Sequence, residues 1–224
     1  MLLNKKVRPL YFKIITSLCI VLFIATTLEA QNAKTFLNEV SSKVRSYDNI
    51  YIDFKYTLNN KKENVNQETR GNVTIQGDNY LLNMLGITRI FNGSTIYTII
   101  PEDEEVTISK YNAQDDKEIT PSKMLTFYER GYTYKMDVIQ NVKGRKIQFV
   151  KLRPIDTNAE IKDILLGVDM QTKHVYKLIQ TDEQGTQFTI TVSYFKTNQP
   201  LSKTLFTFNE TKYKEKGYYI NKLD

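Results

Sequence analysis

The sequence has few of the residues on which metal and disulfide chemistry depends. Its 224 residues include one cysteine, one histidine and no tryptophan. The cysteine, Cys19, lies in an N-terminal leader, so the rest of the chain has no thiol with which to form a disulfide. One histidine without a thiol cannot supply the ligands of a transition-metal site. These absences exclude a disulfide scaffold and argue against a zinc enzyme.

The motifs of common catalytic sites are also missing. The sequence has no Gly-x-Ser-x-Gly elbow, no phosphate-binding glycine loop and no His-Glu metal pair. His174 stands between a turn and a predicted strand, where a solvent-facing or capping role is favoured over catalysis. The acidic residues 102–105 lack the glycine-bearing loop of a calcium site and indicate a solvated turn. We expect neither enzymatic activity nor a cofactor.

Residues 1–30 have the pattern of a secretory signal peptide. Four Lys and Arg residues and no acid lie in residues 1–13, and residues 14–28 form an apolar run that is short for a membrane span. Ala30 is a small residue at the point where a signal peptidase would cut. The bulky Leu18 before Cys19 disfavours lipid modification of the thiol. We therefore expect export to the periplasm as a soluble protein.

The charge balance gives no reason to expect a nucleic-acid partner. The chain has 31 Lys and Arg against 25 Asp and Glu, of which residues 1–30 hold four and one. The 194 residues that follow thus have a net charge of +3, which is too small to indicate a polyanionic ligand. Without an internal repeat or a linker, residues 31–224 are expected to form one domain and a monomer.

After the first predicted helix, the spacing of the apolar residues changes from that of a helix to that of strands. Spacings of three and four over residues 32–44 predict an amphipathic helix, and alternation that begins at Ile50 predicts a strand. About eleven short strands follow one another, among them residues 87–91 and 95–100 around an Asn-Gly turn and a last one at residues 205–208. Thr120-Pro121 predicts a second, short helix that Gly131 ends. The pattern is typical of a mainly β, α+β fold with an antiparallel sheet.

Several segments stand in an order that resembles one known family. The first helix leads through residues 44–47 into the strand at residues 52–56, and a strand containing Gly71 follows at residues 69–75. Further matches are the Asn-Gly hairpin with its Ile-Tyr pair at residues 91–97, Thr120-Pro121 before Met124-Leu125, and residues 206–208. In order and spacing they resemble the periplasmic outer-membrane lipoprotein carrier proteins, over nearly the whole chain after residue 30.

The resemblance implies a single curved, unclosed antiparallel β-barrel whose concave side is covered by a helical lid. It also implies a function as a chaperone that binds the acyl chains of lipoproteins in the concave space. Such a carrier receives acylated lipoproteins from an ATP-driven, ABC-type release complex in the inner membrane and carries them to the outer membrane. The resemblance leaves open whether an outer-membrane acceptor takes part.

In one place the chain departs from the family. A basic residue and a proline commonly precede the strand that here begins near Tyr80, and the basic residue helps to tie the barrel to the lid. This chain has residues 76–79, Gln-Gly-Asp-Asn, at that point. A lid latch would therefore use other groups, for which Arg70 and Arg89 are the candidates.

The candidate lipid site combines apolar strand residues with apolar helix residues. The expected cavity lining is Ile52, Phe54, Tyr56, Val73, Ile75, Leu82, Met84, Ile96 and Ile108. The expected lid residues are Leu37, Val40, Val44, Met124, Leu125 and Phe127.

Two other functions fit the same strand pattern. Alternating apolar residues most often fill a packed core. A secreted β-sheet binding or adhesion module with a filled interior would therefore have the same sequence pattern as a carrier. A hydrolase of an envelope polymer would need a poised pair of carboxylates, which the sequence does not reveal. The carrier hypothesis requires a hollow between the sheet and its helices.

Overall fold

The computed structural model describes residues 31–112 and 120–223. The predicted signal peptide with Cys19 lies outside the described residues. The helices are α1 (residues 31–45), α2 (Pro121–Met124) and α3 (Glu210–Glu215), with a 3-10 helix at Phe127–Glu129. The strands are β1 (Ile50–Asn60), β2 (Val65–Gln76), β3 (Asn79–Met84), β4 (Ile87–Phe91), β5 (Thr95–Ile100), β6 (Glu105–Lys110), β7 (Tyr132–Val142), β8 (Arg145–Pro154), β9 (Ile161–Asp169), β10 (Val175–Asp182), β11 (Gln187–Thr197) and β12 (Tyr219–Leu223).

All twelve strands belong to one sheet that does not close on itself. Their order is β12-β6-β5-β4-β3-β2-β1-β11-β10-β9-β8-β7, so β12 and β7 are its edges. Every neighbouring pair is antiparallel except β12 and β6, which run parallel. The predicted mainly β fold with an open, curved antiparallel sheet and helices on it is confirmed. None of the helices in residues 31–112 and 120–223 is long and apolar enough to cross a membrane.

Local signals in the sequence correctly placed several element boundaries. β4 and β5 have the predicted limits, and the Asn92 side chain closes the turn between them by accepting hydrogen bonds from the backbone N–H groups of Ser94 and Thr95. Thr120 caps α2, because its hydroxyl accepts a hydrogen bond from the N–H of Lys123. Gly131, at φ +81°, ends this short helical region as predicted.

The prediction of the last strand was wrong. Residues 205–208 form no strand, and Phe206 and Phe208 instead pack on the outer face of the sheet. The ring of Phe208 stacks on Tyr97 of β5, with ring centroids 4.7 Å apart. Alternating apolar residues thus anchor a segment that crosses this face, and the chain ends in β12 beside β6. Alternating apolar residues look the same in a strand and in such a segment, because the alternation shows which side chains are buried and not whether the backbone pairs.

Three groups of buried apolar residues hold the sheet and its covers together. The α1 cluster consists of Ala33, Phe36, Leu37, Val40, Tyr128, Val150, Leu152, Ile164, Leu166 and Val168. The β1–β5 cluster consists of Ile50, Ile52, Phe54, Val73, Ile75, Tyr80, Phe91, Ile96 and Leu125. The outer cluster consists of Ile90, Ile99, Val106 and Phe206. The first two lie on the concave face and the third on the opposite face.

Candidate functional site

Eight of the nine residues expected to line the cavity lie together in the structure. Five of them are buried members of the β1–β5 cluster, and the other three, Tyr56, Leu82 and Met84, are half-buried and pack against it. The register of β3 explains this grouping, because Leu82 pairs with Val73 while Leu81 belongs to the opposite face. A band of partly exposed apolar side chains therefore continues the cluster along the concave face.

Ile108 does not belong to this surface, and its assignment was wrong. It pairs with Tyr97 in β5, and both pack against the outer cluster. Neighbouring Ile96 pairs with Ser109 and faces the concave side. Because successive residues of a strand point to opposite faces, an error of one residue in the parity of β6 moved Ile108 to the wrong side.

The residues expected in the lid divide between two covers. Leu37 and Val40 of α1 belong to the α1 cluster, against which Phe127 also packs. Leu125, which follows α2, is buried in the β1–β5 cluster, and Val44 at the end of α1 packs beside it. Met124 is half-buried and belongs to neither cluster. The lid therefore consists of a long helix over β8 and β9 and a short one over β1–β5.

Polar contacts fix α1 to its surroundings. The hydroxyls of Ser41 and Tyr128 are hydrogen-bonded at 3.2 Å, and burial raises the pKa of Tyr128 to about 12. The Glu39 carboxylate lies 2.7 Å from Nζ of Lys173 in the turn before β10. Arg45 forms an ion pair with Glu129, and this hydrogen bond lowers the pKa of the Glu129 carboxyl.

His174 also anchors the end of α1, which differs from the expected solvent-facing or capping role. Its Nε2 lies 2.7 Å from the hydroxyl of Tyr47, and its ring stacks on Phe195 with centroids 4.0 Å apart. Burial lowers the pKa of His174 below its ordinary value. Tyr47 and His174 are 127 residues apart, so no local sequence signal could have indicated that they meet.

A cleft opens between α2 and the end of α1. It has a volume of about 340 Å³ and is lined by residues of α1 and the loop after it, by Ile50 and Ile75, by the β2–β3 turn and by residues 122, 123, 125 and 126. Its apolar members include Val44 and Leu125, and Arg45, Asp48, Asp78 and Lys123 also line it. The cleft thus leads from a charged rim to the β1–β5 cluster.

A second groove, of about 530 Å³, includes Phe54, Gly71 and Met84 in its lining. Five other lining residues belong to strand positions that point to the opposite face of the sheet: Asp53, Arg70, Asn72, Asn83 and Thr88. The ring of Phe54 occupies the space in which a side chain at residue 71 would stand, because a Cβ there would lie 2.6 Å from Phe54 Cζ. A glycine is therefore required at this point of β2. The first cleft is lined by Ile50, Ile75 and Leu125 of the β1–β5 cluster, and no buried residue of the α1 cluster lines it.

Only one of the two latch candidates lies on the lid side of the sheet. Arg89 of β4 pairs with Leu82 and therefore shares its concave face. Arg70 of β2 pairs with Lys55, is exposed and points to the opposite face. Within the described part of the chain, no three His, Cys, Asp or Glu side chains are grouped so that they could hold a metal ion.

Comparison with known proteins identifies the family. The sequence model of the outer membrane lipoprotein carrier protein LolA matches residues 45–209. The chain belongs to the LolA family. LolA proteins are periplasmic lipoprotein carriers, and lipid or lipoprotein binding is the general function that membership indicates. A search of curated protein sequences finds no match to this chain.

Solved structures similar to this LolA-family chain are distant in sequence. An uncharacterized conserved protein from Thermus thermophilus is 10% identical, with a TM-score of 0.52 over 83% of this chain and 98% of that one. LprF from Mycobacterium bovis is 13% identical, with a TM-score of 0.49 over 78% and 96%. The LolA superfamily protein NE2245 from Nitrosomonas europaea is 12% identical, with a TM-score of 0.43 over 79% and 97%. At such identities the Thermus protein supports the fold alone.

Proposed function

We propose that the protein is an exported carrier that binds the acyl chains of lipoproteins on the concave surface of β1–β5. The observation that supports this most is the position of the cleft between α2 and the end of α1, which is lined by Ile50, Ile75 and Leu125 of the β1–β5 cluster and by no buried residue of the α1 cluster. Carriage by burial requires no covalent step, and the protein is proposed not to be an enzyme. Its proposed donor is an ABC-type release complex in the inner membrane, and its destination is the outer membrane.

The short helix α2 is proposed to be the part of the lid that moves. Displacing it exposes Leu125, whose burial contributes about 1.5–3 kcal/mol. Each methylene of an acyl chain that leaves water contributes ~0.8 kcal/mol, so about four buried methylenes offset this exposure. Displacing α1 would expose Phe36, Leu37 and Val40, at about 4.5–9 kcal/mol in total, and would break its polar contacts as well.

Acyl-chain binding can be measured directly by fluorescence. A fluorescent fatty acid titrated into the protein should bind saturably, and a triacylated lipopeptide should displace it. A β-sheet module with a filled interior would show no saturable binding, and that result would remove the carrier function from consideration.

The moving part of the lid can be tested separately by cross-linking. The chain has no cysteine after residue 30, so engineered thiols would react alone. Asp78→Cys with Ser122→Cys places a thiol on each side of the cleft. Joining them with a cleavable bismaleimide should block lipopeptide uptake, and cleavage of the linker should restore it.

A matched cross-link on α1 provides the control. Glu39→Cys with Lys173→Cys replaces an ion pair and joins α1 to the turn before β10. Uptake should persist in this cross-linked protein, because α1 is proposed to stay in place. Blockage by the α1 cross-link alone would show that the long helix is the part that opens.

A further inference from the structure

β7 leaves a long edge of the sheet open. It has eleven residues, and the described residues pair with it only through β8. The main-chain N–H and C=O groups on its other side are therefore available to an additional strand. The opposite edge is β12, which has only five residues.

A groove of about 430 Å³ runs along the first half of β7. It is lined by residues 133–137 together with Lys151 and Arg153 of β8. Lys135 pairs directly with Lys151, and Thr133 pairs with Arg153. Three cationic side chains thus lie close together on one face beside the open edge.

The three neighbouring positive charges do not stabilise the sheet. Like charges directly opposite each other on neighbouring strands destabilise the pairing. Lys151 is compensated by Asp163, whose carboxylate lies 2.8 Å from its Nζ. Lys135 and Arg153 are exposed and form no ion pair within residues 31–112 and 120–223. An anionic partner would remove the repulsion.

A β-bulge separates the groove from the rest of the edge. The register shifts between Met136 and Ile139, and the Gln148 side-chain amide donates a 2.8 Å hydrogen bond to the carbonyl of Asp137. Bulges limit pairing along an edge, which leaves residues 132–136 as the regular stretch. Beyond the bulge, Val138 and Ile139 are 54% and 56% exposed and offer apolar contact.

We propose that β7 is a docking edge, on which an acidic, extended segment of a partner protein adds as a further strand along residues 132–136. Its acidic side chains would lie next to Lys135 and Arg153, and its backbone would pair with β7. An anionic membrane surface would use the same cations, but it could not use the main-chain edge, which is why a peptide is favoured. This proposal is independent of acyl-chain binding, which is proposed to occur on the opposite face.

The test uses a fluorescein-labelled octapeptide of alternating valine and glutamate. The affinity of the protein for the peptide, measured by fluorescence anisotropy, should be about tenfold lower in the Lys135→Glu/Arg153→Glu variant. The control variant Lys110→Glu/Lys196→Glu makes the same charge change at exposed positions on β6 and β11 and should bind the peptide much more tightly than the edge variant. Uptake of the fluorescent fatty acid should be the same in both variants.

Main-chain pairing is tested on the peptide itself. A strand added to an edge uses alternate N–H groups, so N-methylation of one alternate set should abolish binding, whereas methylation of the other set should be tolerated. Equal effects of the two sets, or equal losses in the edge and control variants, would overturn the proposal. So would an edge variant that loses binding to phosphatidylglycerol vesicles but keeps its affinity for the peptide.

Discussion

The two halves of the concave face differ in how they are covered, and the half under the shorter cover is the one proposed to bind lipid. Over β8 and β9, α1 spans residues 31–45 and contributes four apolar residues to a cluster of ten that are all buried. Over β1–β5, the cover is Leu125 beside a helix of four residues that buries none of its own. One half of the concave face thus lies under a long helix, and the other lies under a short helix beside a cleft.

Helix length explains the contrast. A helix of four turns can direct several side chains to one face and bury them together, whereas a single turn offers one such position. A carrier needs one cover that keeps the fold intact and another that opens at a cost its cargo can offset.

Truncation of a leucine should affect the two halves unequally. Leu37, 2% exposed, lies in the cluster under α1, and Leu37→Ala should lower the free energy of unfolding by about 2–5 kcal/mol. Leu125 borders a cleft that already exists, so Leu125→Ala should cost about 2 kcal/mol, without the additional cost of a new enclosed cavity. Urea denaturation followed by circular dichroism measures both. Equal losses would mean that the halves are equally well packed.

Lipid uptake should rank the same two variants in the reverse order, with the larger change in Leu125→Ala. Leu125→Ala removes apolar contacts that keep α2 closed, so uptake of the fluorescent fatty acid should become faster. Leu37→Ala should leave the rate per folded molecule unchanged. Stopped-flow fluorescence under conditions where both variants are folded provides the measurement. A faster rate in Leu37→Ala alone would move the opening to α1.

The buried link between α1 and the 3-10 helix should make a smaller contribution. Tyr128→Phe removes the hydroxyl that bonds to Ser41, while Ser41 keeps its bond to the carbonyl of Leu37. We expect a loss of about 0.5–1.5 kcal/mol in the free energy of unfolding, with no change in uptake. Ser41→Ala is the matched control from the other side of the bond. A large change in uptake would indicate that the two covers move together.

The smallest expected effect is the pH dependence that arises from His174, at the boundary between the halves. Because burial lowers its pKa in the folded state, the unfolded chain takes up a proton first as the pH falls. Stability from this group is therefore present above about pH 6.5 and is lost as the pH falls from there through the lower pKa of the folded state. Asp169 opposes this shift and Lys43 adds to it.

Urea denaturation at pH 7.5 and 5.5 tests this, with His174→Gln as the comparison. The chain has one histidine, so the difference between the wild type and the variant isolates its contribution. The wild type should lose more stability than the variant on acidification. If the wild type and the variant lose the same amount of stability, the stacking of His174 on Phe195 does not depend on a neutral imidazole.

Features set by neighbouring residues could be read from the sequence. The cap of α2 at Thr120, the turn at Asn92 and the boundaries of β4 and β5 follow from side chains that bond or bend the backbone within a few residues. The apolar alternation also predicted most of the β1–β5 cluster. The alternation gave the wrong face for Ile108, because a shift of one residue along a strand moves a side chain to the other face of the sheet. It also predicted a strand at residues 205–208, where side chains are buried without strand pairing.

By itself, the sequence determined a mainly β, α+β chain with an antiparallel sheet and no thiol after residue 30, and its resemblance to a known family implied that the sheet is unclosed and covered by helices. Only the tertiary structure decided which half of the concave face lies under the long helix and which borders a cleft, and that no strand of the described residues pairs with the outer side of β7, beside three cations. The physical reason is that periodicity reports which side chains avoid water, whereas space is created between elements far apart in the chain. Contacts such as Tyr47 with His174 and Ser41 with Tyr128 join residues 127 and 87 positions apart, and no local pattern encodes them.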